Sequence, residues 1–214
     1  MRTAAVLPIK SFSRAKSRLG GGIDRSELAA AMAEDVLSAL AATPGLADVI
    51  VVTAEPVAED AGAVVVNDPE ERGQSAAAER GIEAATGRGA ERVLLVPGDC
   101  PALDPREVGN LLESRADPPQ VVIVPDRHGS GTNALLLAPP DAVAPSFGAG
   151  SLARHAAHAR AAGAAVKVRD VPSLGLDVDT ADDLAALRAA LDARPSLARR
   201  TREVLERLVP AGAA

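Results

Sequence analysis

Seven short apolar runs, spread along the chain and separated by helix-like stretches, constrain this sequence more than any other feature. They are Ala4–Ile9, Val49–Val52, Ala63–Val66, Val93–Val96, Val121–Val124, Ala134–Leu137 and Ala165–Val168, each four to six residues long. They are rich in β-branched residues and bounded by Gly, Pro or Asp, the pattern of buried strands. Between most of them lie stretches with helix start signals. Asp24-Arg25-Ser26-Glu27 reads as an N-cap and an acidic third position before Leu28–Leu40. Asp104-Pro105-Arg106-Glu107 places a cap, a first-turn proline and an acid in order. Thr180-Ala181-Asp182-Asp183 opens a helix to about Ala193, and Ser151–Ala162 and Pro195–Leu208 also read as helices. Strands alternating with helices predict an α/β fold with a mostly parallel sheet. The link Pro125–Asn133 is too short for a crossover helix, so the strands on either side of it are expected to be antiparallel. The expectation is one mixed-sheet domain over 1–194, flanked by helices, with a C-terminal helix and tail over 195–214.

Composition narrows the function. Lys plus Arg is 23 and Asp plus Glu is 29 in 214 residues, a net charge of −6. A nucleic-acid binder draws affinity from a basic excess, which is missing here. Two Phe and no Tyr or Trp cannot build a stacking platform for single strands. A single cysteine excludes an internal disulfide framework and a multi-Cys zinc site, and fits a reducing cytoplasm. The apolar run in Met1–Pro8 is too short for a signal peptide, and no stretch approaches the roughly 18 apolar residues of a membrane span. The expectation is a soluble cytoplasmic protein with neither nucleic-acid nor membrane partners. Much of the 47% hydrophobic content is alanine, which buries little area, so the Val and Leu runs must supply the core.

In open α/β sheets, ligands gather at the carboxyl ends of the strands, and the unusual residues of this chain sit there. After the first run, Lys10, Arg14, Lys16 and Arg18 place four cations in nine residues next to small residues, a pattern suited to a triphosphate. It is neither a Walker A loop nor a dinucleotide fingerprint, and a solvated basic loop is the plain alternative. Pro97-Gly98-Asp99-Cys100-Pro101 puts a carboxylate at a strand end, a common place for a magnesium ligand or for a turn former. Cys100 reads as a small buried filler, because no base lies near it in sequence. In Gly175–Thr180, alternation puts Asp177 and Asp179 on one side, where two carboxylates repel unless a cation lies between them. Asp179 serves equally as a helix cap. Asp126–Asn133 and Ser146–Ser151 are glycine-rich anion-binding candidates, or else a hairpin and a cap. Asn67–Gly81, with Gly73, Gln74 and Ser75 before a helix, is the candidate for reading a base, or else a surface turn. His155 and His158 are three apart on a helix and, with no third ligand at useful spacing, read as a surface pair; His128 is at best an anion donor.

Five motifs carry a family resemblance: P-I-K-x-x-x-x-A-K-S-R-L at 8–19, P-G-D-C-P at 97–101, D-R-H-G-S-G-T-N-A-L at 126–135, F-G-x-G-S at 147–151 and L-D-V-D-T at 176–180. In that order they resemble the guanylyltransferases of deazaflavin coenzyme F-420 biosynthesis. The resemblance implies a single-domain, Rossmann-like nucleotidyltransferase fold of the GT-A-like kind. It implies transfer of GMP from GTP to phosphoenolpyruvate, or to 2-phospho-L-lactate as in archaeal members, with release of pyrophosphate. Thr132, Gly148 and Ser151 would hold the acid. Lys10, Lys16 and Arg18 would serve the triphosphate, and Asp99, Asp177 and Asp179 would bind Mg²⁺. Asp99 and Lys16 are the candidates for catalysis itself. The related molybdopterin-type nucleotidyltransferases carry L-A-A-G-x-S-x-R-M-G after the first strand, which this chain lacks. Pro195–Leu208 has no functional reading beyond a candidate surface for a homodimer.

Overall fold

The computed structural model describes residues 1–12, 25–56, 62–113, 117 and 119–208. The seven apolar runs form the strands β1 (Thr3–Ile9), β2 (Leu46–Thr53), β3 (Val64–Asn67), β4 (Arg92–Leu95), β5 (Gln120–Pro125), β6 (Thr132–Ala138) and β7 (Ala165–Val168). The helices are α1 (Arg25–Ala41), α2 (Gln74–Gly87), α3 (Pro105–Leu112), α4 (Ser151–Ala161), the short α5 (Pro172–Gly175), α6 (Ala181–Ala193) and α7 (Arg199–Leu208). All seven strands form one sheet in the order β3-β2-β1-β4-β6-β5-β7. β1 pairs in parallel with β2 and β4, β2 with β3, and β5 with β7. Only β6 runs the other way, antiparallel to both β4 and β5, as the short link after β5 requires. The expected mixed, mostly parallel sheet is therefore observed.

Strand alternation sorts the core into two layers. Ala5, Leu7 and Ile9 of β1 face α1 and α3, while Ala4 and Val6 face α2 and α4. A third cluster joins Leu28, Ala31 and Met32 of α1 to Leu187 and Leu191 of α6 and to Val204 and Leu205 of α7. Helix α1 is thus covered on two sides, which its small alanines permit.

The capping signals at Asp104 and Thr180 hold. The Asp104 side chain accepts from Arg106 N, and Thr180 forms a reciprocal capping box with Asp183. Asp24 lies outside the described residues. At the C-terminus the structure corrects the expectation: the helix begins at Arg199 rather than at Pro195. Ala198 takes φ 51°, and the backbone N–H groups of Arg200 and Thr201 donate to the Asp35 carboxylate of α1 at 3.1 and 2.7 Å. A carboxylate far away in sequence therefore supplies the acceptor that the first turn of α7 lacks locally.

Helix α2 lies so close to the sheet that a Cβ on Gly81 would stand 2.2 Å from Val6 Cγ1. Gly81→Ala should therefore destabilise by about 1–3 kcal/mol despite alanine's better helix propensity. Denaturant unfolding measures the loss, and adding Val6→Ala should recover part of it by freeing the space.

Candidate active site

Beyond the carboxyl ends of β1 and β4 the chain departs in opposite directions, and the crevice there is the expected ligand position of such a sheet. A cleft of about 280 Å³ opens at that point, lined by Lys10 and Phe12 after β1, Gly73 and Gln74 at the start of α2, and Asp99 and Asp179. The loop after β1 is tied down by acids from elsewhere: Ser11 N donates to Glu71 Oε1 at 2.5 Å and Phe12 N to Glu55 Oε1 at 2.9 Å. Lys10 is exposed beside this floor. Arg14, Lys16 and Arg18 lie outside the described residues. Gly73 takes φ 109°, a conformation that favours glycine at the entry to α2. The segment expected to read a base, Asn67–Gly81, thus forms one wall of the cleft.

The acidic residues meet at its edge. Val178 N donates to Asp99 O at 3.1 Å, which pins the segment before α6 to the loop after β4. Val178 is buried, with Asp177 half-buried and Asp179 exposed on either side of it, as the alternation predicts. Burial pushes the Asp177 carboxyl up, and the charges of Asp99 and Asp179 add to the push, against a hydrogen bond from Asn133. Like-charged oxygens gathered in this way suit a hard divalent cation, which would relieve the repulsion. Among the described residues no group of three or more His, Cys, Asp or Glu can by itself enclose a metal ion. A cation here would complete its shell with substrate oxygens or water. Asp179 does not cap α6, because Thr180 does. Instead Asp179 N donates to Asp183 Oδ2 at 3.1 Å, and Arg127 Nη2 meets Asp183 Oδ1 at 2.6 Å, which joins the 126–131 loop to the start of α6. Cys100 is fully buried, its Sγ 3.3 Å from Leu174 O, the filler expected of it.

The third part of the site depends on an irregularity at the start of β6. Val124 faces Ala134 but Pro125 faces Thr132, so Asn133 is an extra residue, a β-bulge. Ala134 and Leu136 belong to the α1/α3 layer, and Leu135 and Leu137 to the α2/α4 layer. Strict alternation would place Thr132 with Ala134 and Asn133 with Leu135. The bulge reverses both. Asn133 Nδ2 donates to Leu174 O at 2.9 Å and to Asp177 Oδ1 at 3.1 Å, while Thr132 Oγ1 lies 3.0 Å from His155 Nδ1 on α4. Gly148 takes φ 106° in the loop before α4, and Ser151 is the buried first residue of that helix. Arg154 clasps this loop, its guanidinium donating to Ser146 O at 2.9 Å and also to Ala149 O. Phe147 N donates to Ser75 Oγ at 3.0 Å, so the loop also touches the wall of the cleft.

The histidine pair departs from expectation. His158 is exposed, but His155 has no exposed surface. Ser146 N donates to its Nε2 at 2.8 Å, and the Phe147 ring meets it edge-on at 5.3 Å. Burial, and then the charges of Arg154 and His158, lower its pKa to about 4. Sequence reasoning passed over Asn133, Arg154 and His155 as functional groups. Asn133 lies within the 126–135 motif, whereas Arg154 and His155 lie outside all five motifs.

The architecture defines the class of protein first. A putative nucleotide-diphospho-sugar transferase from Desulfovibrio desulfuricans G20 superposes with a TM-score of 0.69 over 97% of this chain and 95% of its own, at 19% identity, so the chain has the nucleotidyltransferase fold. Sequence comparison then gives the family. The family described as "Guanylyl transferase CofC like" matches residues 3–192, and this chain belongs to it. A phosphoenolpyruvate guanylyltransferase of Conexibacter woesei is 49% identical, covering 98% of this chain and 97% of the relative. A 2-phospho-L-lactate guanylyltransferase of Methanothermobacter thermautotrophicus is 38% identical, covering 86% and 83%. No helix among the described residues is long and apolar enough to cross a membrane.

The acidic cluster sets a stability cost. A carboxyl whose pKa is raised on folding binds its proton more tightly in the native state, so stability falls as pH rises above the unfolded value near 3.8. Asp177→Asn keeps the oxygen that Asn133 donates to and removes the charge. Without divalent cations this variant should melt higher than wild type at pH 7, with the advantage shrinking towards pH 4. Thermal unfolding at both pH values is the check.

Proposed function

We propose that the protein transfers the guanylyl group of GTP to phosphoenolpyruvate and releases pyrophosphate. One observation carries this reading beyond the family: the bulge exchanges the faces of two consecutive residues of β6. Thr132 joins the glycine loop before α4, and Asn133 joins the acidic cluster at the cleft. A small phosphorylated acid gripped by Thr132, Gly148 and Ser151 would therefore lie beside the place where a nucleotide's phosphates meet Asp99. Lys10, with Lys16 and Arg18 on the same segment, neutralises the triphosphate, and the wall at Gly73 and Gln74 takes the base.

A phosphate monoester is mostly dianionic near neutral pH, its second pKa being about 6, so the acid needs no general base to act as nucleophile. One of its phosphate oxygens forms a bond to the α-phosphorus of GTP as the bond from that phosphorus to the bridging oxygen of pyrophosphate breaks. The work of the protein is to hold two anions in line and to balance their charge. Asp99, with Asp177 and Asp179 nearby, would hold Mg²⁺ only together with substrate oxygens, and the ion would supply positive charge to the reacting phosphates. Asn133 fixes the direction of the Asp177 carboxylate.

Pyrophosphate release with GTP, Mg²⁺ and either acid tests the assignment. Phosphoenolpyruvate should be the better substrate, since the relative sharing 49% identity is named for that acid. Faster turnover of 2-phospho-L-lactate would move the substrate to the second acid, and no release with either would refute the reading. Asp99→Asn should lower kcat more than about tenfold, about 1.4 kcal/mol of transition-state stabilisation, with the fold intact by circular dichroism. Lys16→Ala should raise KM for GTP more than KM for the acid, which steady-state kinetics with each substrate varied will show.

A further inference from the structure

We propose that His155 is a positioning residue, whose fixed tautomer turns the Thr132 hydroxyl into a donor for the acid substrate. This rests on the reading that Thr132 contacts that acid. His155 projects from α4 into the space between the bulge and the glycine loop, and has no exposed surface. The tautomer is set at Nε2. Ser146 N is a backbone donor, and it lies 2.8 Å from this nitrogen. A ring nitrogen that accepts a hydrogen bond carries no proton, so Nε2 is the bare one. In a neutral imidazole the proton then sits on Nδ1. The ring is neutral at working pH, since burial and the adjacent Arg154 oppose a charge there. Nδ1–H faces Thr132 Oγ1 at 3.0 Å, so the histidine donates and the threonine oxygen accepts.

That direction decides the sign of the interaction with an anion. With one lone pair taken by Nδ1–H, the Thr132 hydroxyl keeps its own proton for another partner. In the opposite tautomer Thr132 would donate to Nδ1, and only its lone pairs would remain for a carboxylate or phosphate. Two acceptors repel, whereas a hydroxyl donor to a charged group is among the stronger hydrogen bonds. The choice between them is made by a backbone N–H two residues before Gly148. The Phe147 ring, 5.3 Å away and inclined at 73°, restrains the imidazole plane. One ring thus couples the glycine loop to the bulge.

Two substitutions separate the ring's bonds. Asparagine places an amide N–H near Nδ1 and keeps the donor to Thr132. Glutamine places an oxygen near Nε2, which keeps the acceptor for Ser146 and loses that donor. His155→Gln should raise KM for phosphoenolpyruvate by about tenfold with KM for GTP unchanged, and His155→Asn by less than about threefold. In a Thr132→Val background, His155→Gln should change the acid KM by less than about twofold, because the effect passes through the hydroxyl. An equal effect of His155→Gln with and without that hydroxyl, or a parallel rise in KM for GTP, would overturn the proposal as a purely structural effect. If Thr132→Val alone leaves the acid KM unchanged, the assignment of Thr132 fails and the proposal falls with it, by a distinct signature. The wild-type enzyme gives an independent answer should the variants fold poorly. Long-range ¹H–¹⁵N correlation should show a protonated Nδ1 and a bare Nε2 at His155, and the reverse pattern refutes the proposal.

Discussion

The extra residue at Asn133 is what the organisation of this site depends on. Backbone pairing between β5 and β6 is regular until Val124 faces Ala134, and one inserted residue then changes which way the next two side chains point. A bulge re-aims side chains at the cost of a local ladder interruption. Here it sends Asn133 to the acidic cluster and Thr132 to the helix on the opposite layer of the sheet. The reversed direction of β6 matters equally. Because β6 is antiparallel to β4, its first residues stand at the edge where β4 ends. A parallel strand in that position would present its last residues there instead.

Charge organises the rest of the cleft. Three aspartates converge at the ends of β4 and the segment before α6, and the burial of Asp177 makes their mutual repulsion costly. The segment after β1 enters the same cleft with Lys10. Two acids from other elements, Glu55 and Glu71, take the backbone N–H groups at the start of that segment. Among the described residues lining the cleft, Lys10 is the cation set against Asp68, Glu71, Asp99 and Asp179.

Stability rests on a different set of contacts. Helix α1 packs its Ala33, Val36 and Leu40 against the sheet and its Leu28 and Met32 against α6 and α7. Asp35, on that same helix, caps α7. The C-terminal helix therefore buries an apolar face within its own chain and completes the second layer around α1. Met32 and Ala33 also line the cleft, so α1 belongs to the scaffold and to the wall of the site at once.

Much of this was written in local pattern. Seven short apolar runs specified seven strands, because a strand buried on both faces is written as a continuous stretch of apolar residues. Asp104 and Thr180 marked their helices, because a capping bond spans only three residues. The short link after β5 set the one antiparallel hairpin. The glycine and aspartate motifs marked the loops of the site, because backbone approach and charge are properties of residue type. What remained hidden was non-local. The start of α7 depends on a carboxylate held in α1, far away in sequence. His155 has the spacing of a surface residue, and only the packing of α4 against the sheet made it a buried partner of Ser146 and Thr132. The roles of Thr132 and Asn133 were decided by a bulge, which arises from the pairing of two strands and has no signature in either strand alone. Sequence by itself determined the elements and the chemistry available at their ends. Tertiary structure decided which of those groups face one another, because hydrogen-bond register and close packing act between segments that the chain brings together only on folding.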